Sequence, residues 1–127
     1  MTRTVLLIED NEQNRYLATF LLERHGYKVV AAGSGPEGIE QARSFVPDVV
    51  LLDIQLPGMD GHDVARALRG IEALCEVPIV AVTSYAMAGD REKAMASGCD
   101  GYIEKPIDPD TFVEEVQGFA TRRPAGS

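Results

Sequence analysis

The sequence has no tryptophan, and only two of its 127 residues are cysteine. Cys75 and Cys99 lack both metal-ligand spacing and a Cys-x-x-Cys pattern, which argues against a zinc site, a thiol redox motif and a disulfide scaffold. Basic residues are also scarce, since 12 Lys and Arg stand against 20 Asp and Glu, for a formal net charge of -8. Because negative charge repels phosphate backbones and anionic lipids, we expect no direct binding to nucleic acid.

Long hydrophobic runs are missing as well. No apolar run approaches the roughly 20 residues that a membrane span needs, and the apolar segment near the N-terminus, Val5–Ile8, is too short for a signal peptide. We therefore expect a cytoplasmic protein with no membrane contact. A chain of 127 residues fits one domain with one core, which we place at residues 1–120, followed by a short C-terminal tail at 121–127.

What the sequence does contain is a series of short apolar runs. They are continuous and rich in β-branched residues, which is typical of strands that are covered on both faces in a parallel sheet. We predict five such strands, at Val5–Ile8, Val29–Ala32, Val49–Leu52, Ile79–Val82 and Gly101–Ile103.

The segments between these runs have helical periodicity and helix-terminating residues. We predict helices from Asn14 to Arg24, from Ser34 as N-cap to Pro47, from Asp60 as N-cap through Ile71, from about Gly89 to Ser97, and from Asp108 as N-cap with Pro109 at the first helical position. The alternation predicts an α/β fold with a doubly wound five-stranded parallel sheet, flavodoxin-like strand order 2-1-3-4-5 and five helices.

In such a sheet the ligand site lies beyond the carboxyl ends of the strands. The residues found there are Glu9 and Asp10 after strand one, Asp53 after strand three, Thr83 and Ser84 after strand four, and Lys105 and Pro106 after strand five. Each alone has an ordinary explanation, such as a helix cap or a surface lysine. Their coincidence at one edge of the sheet favours a functional site.

Three carboxylates at one edge repel one another, and either protonation or a hard divalent cation relieves the repulsion. Magnesium suits oxygen ligands in near-octahedral geometry and retains several waters. Asp10, Asp53 and the backbone carbonyl of Gln55 are candidates for its protein ligands.

At these positions the chain resembles the receiver domains of response regulators over residues 4–120. The resemblance is carried by Leu7-Ile8-Glu9-Asp10-Asn11, by Leu52-Asp53 through Gly61, by Val80-Ala81-Val82-Thr83 and by Tyr102-Ile103-Glu104-Lys105-Pro106. Within that family, the segments Ala81–Met87 and Gly98–Asp100 are most similar to DivK-type single-domain regulators and to the receivers of hybrid kinases.

The resemblance implies a role for each residue of the site. Asp53 would be the phosphoacceptor, Asp10 a direct Mg2+ ligand, Glu9 a holder of metal-bound water, and Gln55 a ligand through its carbonyl. Thr83 and Lys105 would contact phosphoryl oxygens. The family often has Asp at the position of Glu9, so the outer shell of the metal is expected to differ slightly.

The same resemblance implies how the signal is transmitted. Tyr102 matches the aromatic switch position that responds to movement of Thr83, and the Lys105–Pro106 peptide bond is expected to be cis. Gln55 and Tyr85 lie at the positions beside the hydrolytic water path. Since neither is a carboxylate that could orient water, we predict slow self-dephosphorylation.

The implied partners are a histidine kinase or a histidine phosphotransfer protein upstream and a protein target downstream. The target is expected to bind the face made by helix 4, strand 5 and helix 5. Because the phosphoryl group should come from a partner's histidine, His25 and His62 are expected to be ordinary surface residues.

Two other classes of protein use this fold or this chemistry. A flavin-binding electron carrier needs a neutral, hydroxyl-rich phosphate loop after strand one, where this chain has Glu9-Asp10-Asn11-Glu12. A colourless purified protein would exclude that class. An aspartyl-phosphate phosphatase places its nucleophile on strand one in an Asp-x-Asp pattern, which Asn11 and Glu12 do not match, and turnover of phosphate esters would distinguish it.

Overall fold

The fold is a five-stranded parallel sheet with helices on both faces. The computed structural model describes residues 3–56, 58–83 and 89–120. The strand order is β2-β1-β3-β4-β5, which confirms the predicted topology. The strands are β1 (Thr4–Ile8), β2 (Lys28–Ala32), β3 (Val49–Asp53), β4 (Ile79–Thr83) and β5 (Gly101–Glu104).

Five α-helices connect and follow the strands, as predicted. They are α1 (Glu12–Arg24), α2 (Gly35–Ala42), α3 (Gly61–Arg69), α4 (Asp90–Ala96) and α5 (Phe112–Ala120), and a short 3-10 helix occupies Glu72–Leu74. Among the described residues, none of the helices combines the length and apolar character needed to cross a membrane.

The continuous apolar strands are explained by a core on each face of the sheet. Leu6, Ile8, Val50 and Leu52 face one core, to which α2, α3 and α4 contribute. Their neighbours Val5, Leu7, Val49 and Leu51 face the other, which is closed by α1 and α5. Every residue of β3 and β4 is buried, so these two central strands are rigid supports for whatever lies at their carboxyl ends.

Two predicted N-caps are confirmed. The Ser34 side chain accepts a hydrogen bond from the Glu37 amide, and the Asp60 side chain accepts one from the His62 amide. The predicted end of α2 at Pro47 was wrong, because the helix ends at Ala42. Its last turn tightens beyond that point, where the amides of residues 43 and 44 each donate to a carbonyl three residues back.

The predicted start of α5 at Pro109 was also wrong. The helix begins at Phe112, and Asp108 instead organises the turn before it. The Asp108 side chain accepts from the Asp110 amide, while its carbonyl accepts from the amides of Thr111 and Phe112. The side-chain bond has the same spacing as that of the Asp60 cap, but the backbone at residues 109–111 forms turns, and the helix is regular only from Phe112.

A close approach of backbone segments ties α3 to the loop that follows Asp53. A Cβ atom at Gly61 would lie 2.5 Å from the Ile54 Cα, so the start of α3 can pack there only because residue 61 is glycine. The Gly61 amide donates to the Ile54 carbonyl at 3.2 Å. The β3–α3 loop is therefore held at both of its ends.

At the amino ends of the strands, Arg69 binds three segments of the chain. Its guanidinium donates to the carbonyls of Gly98 (2.9 Å), Leu74 (2.9 Å) and Val77 (2.6 Å), and it pairs with the Asp100 carboxylate. Such a planar fork of five donors suits several acceptors at once. This network fixes the ends of α3 and α4 relative to the start of β4.

Candidate functional site

The candidate site lies at the carboxyl edge of the sheet, where the register aligns the strand ends. Ile8 of β1 pairs with Leu52 of β3, so the next residues on the two strands, Glu9 and Asp53, lie side by side. Asp53 in turn pairs with Val82, the residue before Thr83. Thr83 pairs with Glu104, which places Lys105 just beyond the ends of the central strands. The structure thus brings together Glu9, Asp10, Asp53, Gln55, Thr83 and Lys105, as the sequence predicted.

Asp53 is the central carboxylate of this group and is 4 % exposed. Its Oδ1 atom accepts a hydrogen bond from the backbone amide of Gln55 at 2.9 Å, and its Oδ2 atom lies 3.3 Å from the Nζ atom of Lys105. The backbone on either side is fixed by the Ile54 amide, which donates to the Val82 carbonyl at 3.2 Å. The carboxylate is therefore held in one orientation.

Lys105 bridges two buried acids. Its Nζ atom lies 2.7 Å from Glu9 Oε1 in addition to its contact with Asp53. Its own backbone amide donates to the Thr83 carbonyl at 2.8 Å, and the peptide bond to Pro106 is cis, as expected. The sequence predicted that the lysine reaches the site, but not that it bridges Glu9 and Asp53.

Burial changes the acid strength of Glu9. The pKa of Glu9 is raised from 4.5 to about 7, mainly by loss of solvation and further by a hydrogen bond and charge repulsion from Asp53. The Lys105 ammonium and the Asn11 amide oppose this effect without cancelling it. At neutral pH the Glu9 carboxyl group is therefore partly protonated unless a cation takes the place of the proton.

The three carboxylates suit a divalent cation. One oxygen from each of Glu9, Asp10 and Asp53 lies within 4.8 Å of the others, and Asp10 is the exposed member. Oxygens on opposite sides of Mg2+ are about 4.2 Å apart, so small side-chain adjustments would bring these atoms into its shell. The donor set is all oxygen, which is the preference of Mg2+.

A second contact links the loop after Asp53 to β4. The side-chain amide of Gln55 donates through Nε2 to the Oγ1 atom of Thr83, which is 3 % exposed. Sequence reasoning placed both residues at the site but did not predict this bond. It depends on the rotamer of a long side chain, for which the sequence carries no signal.

Tyr102, the predicted switch residue, lies on β5 and is partly buried against the core beneath α3 and α4. A groove of about 350 Å³ runs beside it between β5 and α5, with Ile103 and Phe119 in its lining. Tyr85 and Ser84, also singled out in the sequence, lie outside the described residues, as does the predicted tail at 121–127.

The expectation that His62 is a surface residue was wrong. His62 is 7 % exposed, and its Nδ1 atom lies 3.4 Å from the Oγ atom of Ser97 at the end of α4. A lone histidine just after a helix cap gives no sequence signal of burial, because its neighbour Ser97 is 35 residues away. His25 is exposed as expected.

Comparison with known proteins settles the family. The family model for the response regulator receiver domain matches residues 5–117. The chain belongs to this family. It is 41% identical over 119 residues to the polar-differentiation response regulator DivK of Brucella ovis, covering 94% of this chain and 97% of that protein. The DivK protein of Brucella anthropi is similar at 39% identity over the same length.

Solved structures of receiver domains have the same fold as this chain. The receiver domain of the sensor histidine kinase PA1611 of Pseudomonas aeruginosa, solved with a magnesium ion coordinated in its active-site cleft, is 30% identical with a TM-score of 0.87. It is matched over 95% of this chain and 99% of that one. Chemotaxis protein CheY4 of Vibrio cholerae is 26% identical with a TM-score of 0.90, over 94% and 99% of the two chains.

Family membership decides between the classes of protein considered for this fold. The protein is a receiver domain of two-component signalling, a phosphoacceptor switch. The flavin carrier and the phosphate-ester phosphatase are set aside, in agreement with the acidic residues that follow β1.

Proposed function

We propose that Asp53 accepts the phosphoryl group from a phosphohistidine of a histidine kinase or histidine phosphotransfer protein. The supporting observation is the cluster of Glu9, Asp10 and Asp53 beside the Lys105 ammonium at the carboxyl edge of the sheet. In this arrangement Asp10, Asp53 and the Gln55 carbonyl would hold Mg2+, and Glu9 would hold a water bound to it.

Asp53 is the best nucleophile of the three acids. Glu9 has a pKa of about 7 and is therefore about half protonated at neutral pH, which weakens it as a nucleophile. Asp10 is exposed and carries no comparable fixing contacts among those described. The Asp53 carboxylate is oriented by the Gln55 amide and lies within reach of Lys105, so one oxygen can attack while the charge on the incoming group is offset.

The transfer is a single displacement at phosphorus. An Asp53 oxygen attacks phosphorus as the bond from phosphorus to the histidine nitrogen breaks, with attacking and leaving atoms roughly in line. Lys105 and the Thr83 hydroxyl bind oxygens of the transferred group. Bound Mg2+ would supply positive charge that offsets the charge on those oxygens.

We further propose that the acyl phosphate is lost slowly by self-catalysed hydrolysis. Gln55, whose side-chain amide is engaged with Thr83, is not a general base that could activate water. Tyr85 is proposed to limit the approach of water, although it lies outside the described residues.

The proposed output is a change in the surface formed by α4, β5 and α5. Phosphorylation adds about -1.5 to -2 charge units, which draws Thr83 and Lys105 toward Asp53 and lets Tyr102 move inward. Every charged residue within β5 and α5 is an acid, namely Glu104, Glu114 and Glu115. Since α4 carries Arg91 and Lys93 as well as acids, a downstream protein is expected to present basic residues only to the β5 and α5 part of this surface.

A small phosphodonor tests the proposal. Phosphoramidate has the same kind of phosphorus–nitrogen bond as phosphohistidine, so with Mg2+ it should add one phosphoryl group, seen by intact mass and removed by hydroxylamine. Asp53→Asn should abolish the addition. The matched control Asp63→Asn, at an exposed acid paired with Arg66, should leave it unchanged. Phosphorylation of Asp53→Asn to the wild-type level would refute the proposal.

A further inference from the structure

We propose that the side-chain amide of Gln55 is a positioning group that orients the Thr83 hydroxyl toward the phosphoryl group. This inference rests on the proposed function and adds to it a role for the Gln55 side chain, separate from its backbone carbonyl. The observation behind it is the hydrogen bond from Gln55 Nε2 to Thr83 Oγ1.

The direction of this bond has a chemical consequence. An amide N–H group is a donor only, so Thr83 Oγ1 must accept at this contact, while a hydroxyl has one proton to donate. Phosphoryl oxygens are acceptors only. With Oγ1 accepting from Gln55, the Thr83 proton is directed away from the amide and suits an arriving phosphoryl oxygen. The result is a donor chain from Gln55 through Thr83 to phosphate, in which each bond polarises the next.

The fold holds both protein residues of this hydrogen-bond chain in place. The Gln55 backbone amide is bonded to Asp53 Oδ1 at 2.9 Å, so the residue that orients Thr83 is also tied to the proposed nucleophile. Thr83 ends the fully buried strand β4, and its carbonyl accepts from the Lys105 amide at 2.8 Å. Backbone hydrogen bonds therefore hold both residues in place before a phosphoryl group arrives.

Equilibrium binding of beryllofluoride with Mg2+ tests this role without interference from hydrolysis. Gln55→Met keeps the length of the side chain and removes the amide donor. It should weaken beryllofluoride binding roughly two- to tenfold, the factor that corresponds to one net hydrogen bond. The matched control is Asp63→Asn, at an exposed acid on α3 outside the site, which should bind beryllofluoride as the wild type does. Since the chain has no tryptophan, fluorine NMR of the bound ligand is the suitable readout.

A double-mutant cycle separates orientation of Thr83 from a general effect on the loop. The loss caused by Gln55→Met should persist in a Thr83→Ser background, which keeps the hydroxyl. It should vanish in a Thr83→Val background, which has no hydroxyl to orient.

Each outcome bears on a different statement. Equal or tighter binding by Gln55→Met, or the same loss in the Thr83→Val background, would overturn the positioning role while leaving the phosphoacceptor function intact. Failure of the wild-type protein to bind beryllofluoride with Mg2+ would instead count against the proposed function itself.

Discussion

Lowering the pH should weaken Mg2+ binding through Glu9, because the proton on its carboxyl group competes with the metal. Metal sites need deprotonated ligands, whether they bind the ion directly or through water. With a pKa of about 7, Glu9 is about 10 % ionised near pH 6 and about 90 % ionised near pH 8. The apparent affinity for Mg2+ should therefore fall about tenfold between about pH 8 and about pH 6.

The same pKa predicts the pH dependence of stability without metal. Between 4.5 and about 7 the folded protein holds a proton on Glu9 that the unfolded chain has already released. Stability from this group is thus fully present below pH 4.5, falls as the pH rises to about 7, and is flat above that. Added Mg2+ should offset the loss most strongly at the alkaline end, because it binds the ionised site.

Titration calorimetry at the two pH values and fixed ionic strength measures the effect on binding, and thermal unfolding measures the effect on stability. Glu9→Gln removes the titrating group and should remove most of the pH dependence while lowering the affinity at alkaline pH. Asp63→Asn, on the exposed surface of α3, should behave as wild type. Equal Mg2+ affinity at both pH values, or an unchanged pH dependence in Glu9→Gln, would show that protonation of Glu9 does not control metal binding.

Three further predictions concern single residues. Lys105→Ala should still be phosphorylated at Asp53 but should show a weaker conformational response, because the ammonium that pairs with the phosphoryl group is gone. Equal NMR chemical-shift changes on beryllofluoride binding in the variant and the wild type would contradict this. Tyr85→Ala should speed acyl-phosphate decay several-fold if the ring excludes water. An increase in rate of about tenfold would correspond to a barrier lower by about 1.4 kcal/mol. An unchanged rate of phosphate release would show that the ring does not exclude water. Arg69→Lys should lower the free energy of unfolding in urea by about 2 to 3 kcal/mol, since lysine cannot serve three carbonyls and a carboxylate together. The exposed pair made by Arg66 provides the control, where Arg66→Lys should cost less than about 0.5 kcal/mol.

The sequence was informative where one physical rule dominates. Continuous apolar runs can be buried only in a sheet covered on both faces, so the strands at Val49–Asp53 and Ile79–Thr83 were foreseen almost to the residue. Parallel strands end at one edge, so the sequence predicts that the acids after β1 and at the end of β3 lie together. The caps at Ser34 and Asp60 follow from equally local chemistry.

Other features depended on competition between local bonds or on distant packing. The start of α5 was misplaced because Asp108 can cap either a helix or a turn, and the turn prevails. His62 was misjudged because its burial depends on Ser97, far away in the chain. The bridge from Lys105 to Glu9 and the bond from Gln55 to Thr83 both require particular rotamers of long side chains, which strand-end patterns do not specify.

The position of the phosphoryl group on the chain shows whether Asp53 is the phosphoacceptor. Borohydride reduces an aspartyl phosphate to homoserine, so reduction after phosphorylation with phosphoramidate and Mg2+, followed by peptide mass spectrometry, marks the acceptor. We expect homoserine at position 53 and an unmodified Asp10 in the same sample. Modification at Asp10 or Glu9 with Asp53 left intact would contradict it.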